Sequence, residues 1–178
     1  MILFFQILFW VSVLMIFHSY VFFPFLIQFL ARNKEIDFPQ IPEEELPMLS
    51  ILVSAFNEEA VIAEKITSVF ESHYPKDRFE LLIGSDHSTD RTNEIVQSFA
   101  DRHPNLIFKS YSKRRGKQNV VNDLFHLSTG TILILTDANV IFDQNTLLEI
   151  ARPFTDESIG LVDTNMINRG LRKEGISH

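Results

Sequence analysis

The chain has 178 residues, of which 46% are hydrophobic and 22% are charged, and its 16 basic and 23 acidic side chains give a formal net charge of −7. This composition excludes a collagen-like, disordered or disulfide-stapled protein, and the absence of cysteine excludes a thiolate metal site and a cysteine nucleophile. The acidic balance argues against a general nucleic-acid-binding protein, which needs a basic face to neutralise phosphates, so we expect no nucleic-acid partner.

The first 31 residues form an uncharged, apolar segment. They contain no Asp, Glu, Lys or Arg, and they hold eight of the 17 phenylalanines and the only tryptophan, Trp10. A helix needs about 20 apolar residues to cross a hydrocarbon core of roughly 30 Å, so residues 1–31 are predicted to be one transmembrane helix. A core helix of a soluble protein normally has a polar face, whereas this segment is apolar all round, which argues against a buried core helix. A cleaved signal peptide would have a basic residue before the apolar run and small residues at a cleavage site, and this segment has neither, which argues against a signal peptide.

The charges that follow this segment predict its orientation. Arg32 and Lys34 come after the apolar run and no basic residue precedes it, so the positive-inside rule puts the rest of the chain in the cytoplasm. Residues 32–47 are predicted to be a linker without regular structure, because they contain three prolines and a run of three glutamates. Residues 48–178 are then the soluble domain.

The soluble domain alternates predicted strands and helices. Short apolar runs with β-branched residues predict the strands, and apolar residues at helical spacing predict the helices. Such alternation indicates an α/β protein with a parallel sheet and helices on both of its faces. Asn57 is the predicted N-cap of the first helix. The predicted strands are residues 49–55, 79–84, 105–109, 131–136 and 160–165, and the predicted helices are residues 58–72, 90–101, 116–127 and 146–154.

A pair of oxygen-bearing side chains follows the fourth predicted strand. Ligands of parallel sheets bind at the carboxyl ends of the strands, and there Asp137 is followed two residues later by Asn139. Two hard oxygen donors on one side of an extended chain are typical of a seat for Mg²⁺ or Mn²⁺ beside phosphates. The alternative is that Asp137 only caps a helix or a turn.

Two further polar segments follow predicted strands. Asp86 ends the second strand, and because residues 88–90 are expected to cap the next helix, its own side chain is predicted to be free for a ligand. Four positive charges fall within residues 113–117 of this acidic protein. Such a loop is either solvated or contacts an anion, and its place after a strand favours the anion.

The turn after the first strand excludes two common nucleotide sites. It reads FNEE, residues 56–59, and therefore has no glycine and carries two carboxylates that would repel a phosphate. A dinucleotide-binding turn needs G-x-G-x-x-G at this point, and the chain has no Walker loop either. The phosphates of any nucleotide must then be neutralised by a metal ion or by the basic loop.

Together these segments resemble the nucleotide-sugar-binding half of a family 2 glycosyltransferase. Residues 50–59 (SILVSAFNEE) are similar to that family's V-S-V-I-I-P-A-Y-N-E-E, and residues 80–92 (ELLIGSDHSTDRT) to its E-I-I-V-x-D-D/G-S-T-D-x-T. Residues 115–122 resemble R-x-G-K-x-x-A-L-N, and residues 129–140 (TGTILILTDANV) resemble T-G-E-I-L-x-x-x-D-A-D. The segments occur in the family's order and spacing.

The resemblance implies a GT-A fold, which is a Rossmann-like sheet with flanking helices, here preceded by the transmembrane helix. It implies that Asp86 contacts the base of the nucleotide, that Lys117 lies beside it, and that a divalent metal, Mg²⁺ or Mn²⁺, is bound. The implied nucleotide-sugar-binding residues are Ala55, Asn57, Glu58, Asp86, Gly116, Lys117 and Asp137, and the implied metal ligands are Asp137 and Asn139.

Two residues depart from the family pattern. Asn139 stands where the family has a second aspartate, so that Asp137 would carry most of the neutralisation of the metal. His87 stands where glycine is usual, and we expect it to change the turn after Asp86, since histidine accepts a positive φ better than most residues.

The implied function is transfer of a sugar, with inversion, from a nucleoside diphosphate sugar, expected to be a UDP-sugar, to a hydroxyl of unknown identity. This would serve the synthesis of a cell-surface polysaccharide or glycolipid. The family's catalytic base lies in a later motif, expected beyond His178, so residues 48–178 are interpreted as an incomplete domain that is inactive by itself.

Two other interpretations stay open at this point. A haloacid-dehalogenase-like phosphotransferase would use Asp137 as its nucleophile, although its motif would come early in the domain. A membrane-anchored pseudo-transferase without activity would explain Asn139 and the missing base.

Overall fold

The computed structural model describes residues 1–32 and 38–164, and the chain divides into two compact units, residues 1–37 and 38–178. In the first unit, α1 (Ile2–Phe17) and α2 (Phe23–Ala31) are joined by a π-helical turn, His18–Phe22. Among the described residues, Ile2–Ala31 is the one helical stretch that is long and apolar enough to cross a membrane.

The π-helical turn ends two residues before Pro24. Proline has no N–H, and its ring clashes with the carbonyl four residues earlier, so a regular helix cannot pass through it unchanged. The N–H of Phe23 accordingly donates to the carbonyl of His18, five residues back, which is the hydrogen bond of a π-bulge.

The second unit opens with an extended segment that contains one turn of 3₁₀ helix, Glu43–Glu45. The prediction that the three prolines and the glutamates prevent regular structure is therefore wrong at this one turn. Pro42 lies directly before the turn, where its missing N–H disrupts no helical hydrogen bond.

Among the described residues, four parallel strands form the sheet, which confirms the predicted α/β class. The strands are β1 (Leu49–Ala55), β2 (Phe79–Ser85), β3 (Leu106–Ser110) and β4 (Ile132–Asp137). They lie in the order β3-β2-β1-β4, so the chain first builds outward on one side of β1 and then crosses to the other side. The direction of winding therefore reverses between β1 and β4, and in open α/β sheets ligands bind at the carboxyl ends of the strands at such a point.

Helices cover both faces of the sheet, as predicted. The helices at residues 62–70, 92–100 and 146–151 pack with the larger core cluster on one face. Val120 and Leu124, from the helix at residues 117–125, pack with Leu52 and Leu82 on the other. Gly84 of β2 allows this second contact, because a Cβ atom there would lie 2.3 Å from the Val120 side chain. The helices are α3 (Ile62–Phe70), α4 (Thr92–Ala100), α5 (Lys117–Phe125) and α6 (Thr146–Ala151), with a 3₁₀ turn at Arg152–Thr155.

Two local predictions are wrong. Helix α3 begins four residues later than predicted and Asn57 does not cap it, because Asn57 has a φ of 55° and the N–H groups of Val61 and Ile62 both donate to the carbonyl of Glu58. Residues 160–164 are not a strand. Leu161 is 88% exposed there, so the apolar residues behind that prediction are not packed on the sheet; residue 165 lies outside the described residues.

Candidate functional site

The polar residues that follow β1, β2 and β4 meet at the carboxyl edge of the sheet. The strand register places Ser54 of β1 beside both Gly84 and Asp137. A cavity of about 260 Å³ opens there, where the winding of the sheet reverses. Its lining includes six of the eight predicted site residues. It is lined by Ser54, Phe56, Glu58, Asp86, Arg114, Gly116, Lys117, Asp137, Ala138 and Asn139.

Asp137 is the last residue of β4, and its side chain is about half exposed. It forms an ion pair with the ammonium group of Lys117, the first residue of α5, which is also largely exposed. Asn139 is exposed in the same cavity, while Ala138 between them is buried. The turn from Asp137 to Val140 thus presents two oxygen-bearing side chains to the cavity, as the sequence predicts.

This pair of side chains fits a hard divalent cation. A carboxylate and an amide oxygen are ligands that Mg²⁺ and Mn²⁺ accept. Among the described residues there is no group of three or more His, Asp or Glu that could hold a metal. The protein would therefore supply Asp137 and Asn139, and a bound ligand would supply further oxygens, which is the usual arrangement for Mg²⁺ beside phosphates.

Asp86 is buried, and its carboxylate is hydrogen-bonded within the protein. The prediction that this side chain is free is therefore wrong. The carboxylate accepts hydrogen bonds from the backbone N–H groups of Arg115, at 2.6 Å, and Gly116, at 2.9 Å. Gly116 has a φ of 84°, a conformation that side chains rarely allow, so the glycine lets the loop approach Asp86. The carboxylate therefore fixes the end of the basic loop, and it still lines the cavity.

The basic loop gives its side chains different partners. Arg115 forms an ion pair with Asp123 of α5, while Arg114 lies over the ring of Phe56, 3.8 Å from the ring centre. The Arg115 guanidinium and then the Tyr111 hydroxyl, both hydrogen-bonded to Asp123, lower the pKa of that carboxyl. Asp123 thus holds Arg115 at α5, and within this loop Arg114 and Lys117 are the cationic residues that line the cavity.

The turn after β1 is built by contacts with the loop after β2. The side-chain oxygen of Asn57 accepts a hydrogen bond from the N–H of Thr89, at 2.8 Å, and the N–H of Glu58 donates to Thr92 Oγ1, at 2.9 Å. Ala55 is buried, and its carbonyl accepts from the N–H of Asp86. Of the predicted residues in this turn, Glu58 lines the cavity, whereas Ala55 and Asn57 shape the backbone beside it.

His87 has a φ of 64°, so this histidine does adopt the positive φ that the sequence analysis invokes for it, which is a conformation that the usual glycine adopts freely. Its N–H donates to the carbonyl of Ser85, so the backbone turns sharply as it leaves β2.

Lys65 is a residue near the site that the sequence analysis missed. It belongs to α3 and is completely buried, and its ammonium group donates to the carbonyl of Val140 at 2.6 Å and to Thr136 Oγ1 at 3.1 Å. It also lies 3.4 Å from the centre of the Phe142 ring. Burial lowers the pKa of Lys65 from 10.5 to about 7, against the opposing effect of the negative charge of Asp137.

A signal for Lys65 exists in the sequence. It follows Ile62 by three residues and precedes Ile66 and Val69, so it falls on the apolar stripe of α3 rather than on its polar face.

A larger groove of about 520 Å³ lies between α3 and residues 141–145. Its lining includes Glu64, Glu71 and Asp143 and no lysine or arginine. A phosphate would be repelled there, so the smaller cavity at the strand ends is the better candidate for a nucleotide.

Comparison with known proteins assigns the chain to a family. Residues 50–175 match the family described as Glycosyl transferase family 2. The chain belongs to this family. Over 119 residues it is 34% identical to the beta-monoglucosyldiacylglycerol synthase of Nostoc sp., an overlap of 66% of this chain and 25% of that protein. The chain spans between about a quarter and two fifths of the length of these curated relatives.

Solved structures confirm the GT-A fold. The mannosyltransferase PcManGT from Pyrobaculum calidifontis, in complex with GDP-Man and Mn²⁺, superposes with a TM-score of 0.69 at 28% identity, over 80% of this chain and 43% of that one. S. aureus TarS in complex with UDP-GlcNAc gives a TM-score of 0.55 at 27% identity, over 62% of this chain and 31% of that one. The comparisons support neither the phosphotransferase nor the pseudo-transferase interpretation.

Proposed function

We propose that this chain binds a nucleoside diphosphate sugar at the carboxyl edge of β1 and β4, as the donor-binding part of an inverting glycosyltransferase. The observation that carries the proposal is the meeting of Asp86, Lys117, Asp137 and Asn139 around one cavity. Family relatives named as a glucosyldiacylglycerol synthase and a poly-beta-1,6-N-acetyl-D-glucosamine synthase support a role in making a cell-surface glycolipid or polysaccharide.

The roles of the charged residues follow from the charge of the leaving group. Negative charge develops on the diphosphate as the bond to the sugar breaks, so cations beside it lower the barrier. Lys117 would supply one such charge from the first turn of α5. Asp137 and Asn139 would hold a divalent metal, which when bound neutralises the diphosphate as a Lewis acid.

Asp86 would orient the base of the nucleotide. Two backbone N–H groups already occupy part of its carboxylate, but a carboxylate has about four acceptor positions. The remaining positions suit the ring N–H of uracil, and the TarS complexes with UDP and UDP-GlcNAc support a UDP-sugar as the donor. The PcManGT complex with GDP-Man makes GDP the competing nucleotide to test.

The apolar N-terminal helix would anchor the protein in a membrane with residues 38–178 in the cytoplasm. Its length and hydropathy support the anchor, and Arg32 and Lys34 support the orientation. Protease added to sealed right-side-out vesicles should then leave the second unit intact, and cleavage there would contradict this orientation.

Calorimetric titration of the full chain, in detergent micelles, tests the proposed site. We expect UDP to bind in the presence of Mn²⁺ and GDP to bind more weakly, and we expect Asp137→Asn to lose most of the UDP affinity. Glu71→Gln is the matched control, because Glu71 is an exposed acid that lines the larger groove instead. Equal UDP affinity of the wild type and Asp137→Asn would refute the site, and tighter binding of GDP would refute the UDP assignment.

A further inference from the structure

We propose that Lys65 is a positioning residue for metal and donor binding, which fixes the turn that carries Asp137 and Asn139. This inference rests on the proposed function, because it concerns the same turn. Lys65 lies beneath the turn and lines neither cavity, so it would act through Asp137 and Asn139 and not by touching the donor.

The ammonium group of Lys65 connects the two flanks of the turn. Thr136, whose hydroxyl accepts one of its hydrogen bonds, precedes Asp137, and Val140, whose carbonyl accepts the other, follows Asn139. The N–H of Val140 also donates to the carbonyl of Asp137, at 3.2 Å, which closes the turn. One side chain from α3 therefore fixes the start and the end of the segment whose two exposed members face the cavity.

Packing alone does not explain a lysine at the buried position 65. Burying a lysine disfavours its charged form, and an apolar side chain of similar length fills the same space without that cost. The observed polar contacts of the Lys65 amine are a hydroxyl and a backbone carbonyl, and the ring of Phe142 covers it as well. All three contacts belong to β4 and the segment that follows it, so the amine contacts this segment alone.

A second contact from α3 to the same segment provides a matched comparison. Ser68, one turn after Lys65, accepts a hydrogen bond from the N–H of Phe142, at 3.2 Å. This bond ties the segment to α3 as well, but it lies beyond the turn and does not connect its flanks. The Ser68 hydroxyl itself donates within α3, to the carbonyl of Lys65 at 2.8 Å, and it makes no bond to the Lys65 amine. Loss of Ser68 should therefore weaken packing without changing how Asp137 and Asn139 are held.

The expected effect of removing the amine is on metal binding. Some residues orient metal ligands from outside the coordination shell, and mutation of such a residue typically lowers metal affinity by about 10- to 100-fold. We expect Lys65→Met, which keeps the length of the side chain, to weaken Mn²⁺ binding in the presence of UDP by about this factor. The weak binding of UDP without metal should stay unchanged, since Asp86 and Lys117 remain in place.

The experiment measures bound Mn²⁺ by electron paramagnetic resonance in the full chain, with and without UDP, for the wild type, Lys65→Met and Ser68→Ala. Thr136→Val, which removes one acceptor of Lys65 and keeps the shape of the side chain, covers the case in which Lys65→Met does not fold, and it should show a smaller loss of the same kind. A specific loss of Mn²⁺ affinity in the Lys65 and Thr136 variants, with Ser68→Ala like the wild type, supports the inference.

Two outcomes would overturn it, and they differ from failure of the proposed function. Unchanged Mn²⁺ affinity in Lys65→Met, or in Thr136→Val if the first does not fold, would show that the amine does not position the turn. An equal loss in Ser68→Ala would show that general packing is responsible. If the wild type itself binds neither UDP nor Mn²⁺ with UDP, the proposed function is refuted, and this inference with it.

Discussion

The two ends of the sheet use similar side chains in opposite ways. At the amino end, the buried carboxylate of Glu80 accepts hydrogen bonds from Ser50 Oγ and from the N–H of Thr129, both at 2.6 Å, and the N–H of Gly130 donates to Ser50. At the carboxyl end, Asp137 is half exposed and pairs with one exposed lysine. A closed network stabilises the fold, whereas a polar group with spare capacity and access to solvent can bind a ligand.

The largest effect on stability should come from opening the closed network. Glu80→Ala leaves the buried hydroxyl of Ser50 without its acceptor and removes the acceptor of the Thr129 N–H, which should lower the free energy of unfolding by about 3 kcal/mol. Chemical denaturation of the full chain in micelles measures it. Glu71→Ala, which removes an exposed carboxylate, is the control and should change little. A loss no larger than that of the control would mean that the amino-end network is not what holds these strands.

The buried amine of Lys65 should make stability depend on pH. Its pKa is about 7 in the folded protein and near 10.5 when unfolded, so between these values the unfolded chain binds one more proton. The free energy of unfolding should therefore rise with pH across this window, by about 1.4 kcal/mol per unit relative to Lys65→Met. Below this window the amine is charged in both states and the difference between the two proteins should level off. Parallel curves for the two proteins from about pH 7 to 9 would contradict the pKa shift.

The smallest effect on stability should come from the Lys117–Asp137 ion pair, which lines the cavity at the carboxyl end. Lys117 and Asp137 are both more than half exposed, so Lys117→Met should change the free energy of unfolding by less than about 1 kcal/mol. The same variant should bind UDP at least about tenfold more weakly, because a charge beside the diphosphate is lost. If Lys117→Met loses stability but keeps its UDP affinity, the carboxyl end would support the fold instead of binding the ligand.

Local sequence patterns predicted the parts of this fold that local physics decides. The runs LSILVSA and TILILT are apolar and bounded by turns, so β1 and β4 were predictable nearly to the residue. The late start of α3 was not, because the positive φ of Asn57 is supported by a hydrogen bond from Thr89, 32 residues away. The predicted strand at residues 160–165 relied on composition alone, and composition does not provide a neighbouring strand or a packed face.

The candidate site also contains residues that local sequence patterns predicted and residues that they did not. Asp137, Asn139 and Lys117 follow strand and loop boundaries, and that position alone predicted their meeting at one edge. The engagement of Asp86 by two backbone N–H groups depends on a loop 29 residues later in the chain, which no local pattern contains. Lys65 was missed because a lysine in a helix is normally solvated, although its place on an apolar stripe was visible.

We propose that the carboxyl end of the sheet binds the donor and that the amino end supports the fold. Calorimetric measurement of UDP affinity in the presence of Mn²⁺, for wild type, Asp137→Asn and Glu80→Gln, tests it most directly. We predict that Asp137→Asn loses UDP affinity while its unfolding transition is unchanged, and that Glu80→Gln is less stable but binds UDP like the wild type below its unfolding transition. Wild-type UDP affinity in Asp137→Asn, or lost affinity in folded Glu80→Gln, would contradict the claim.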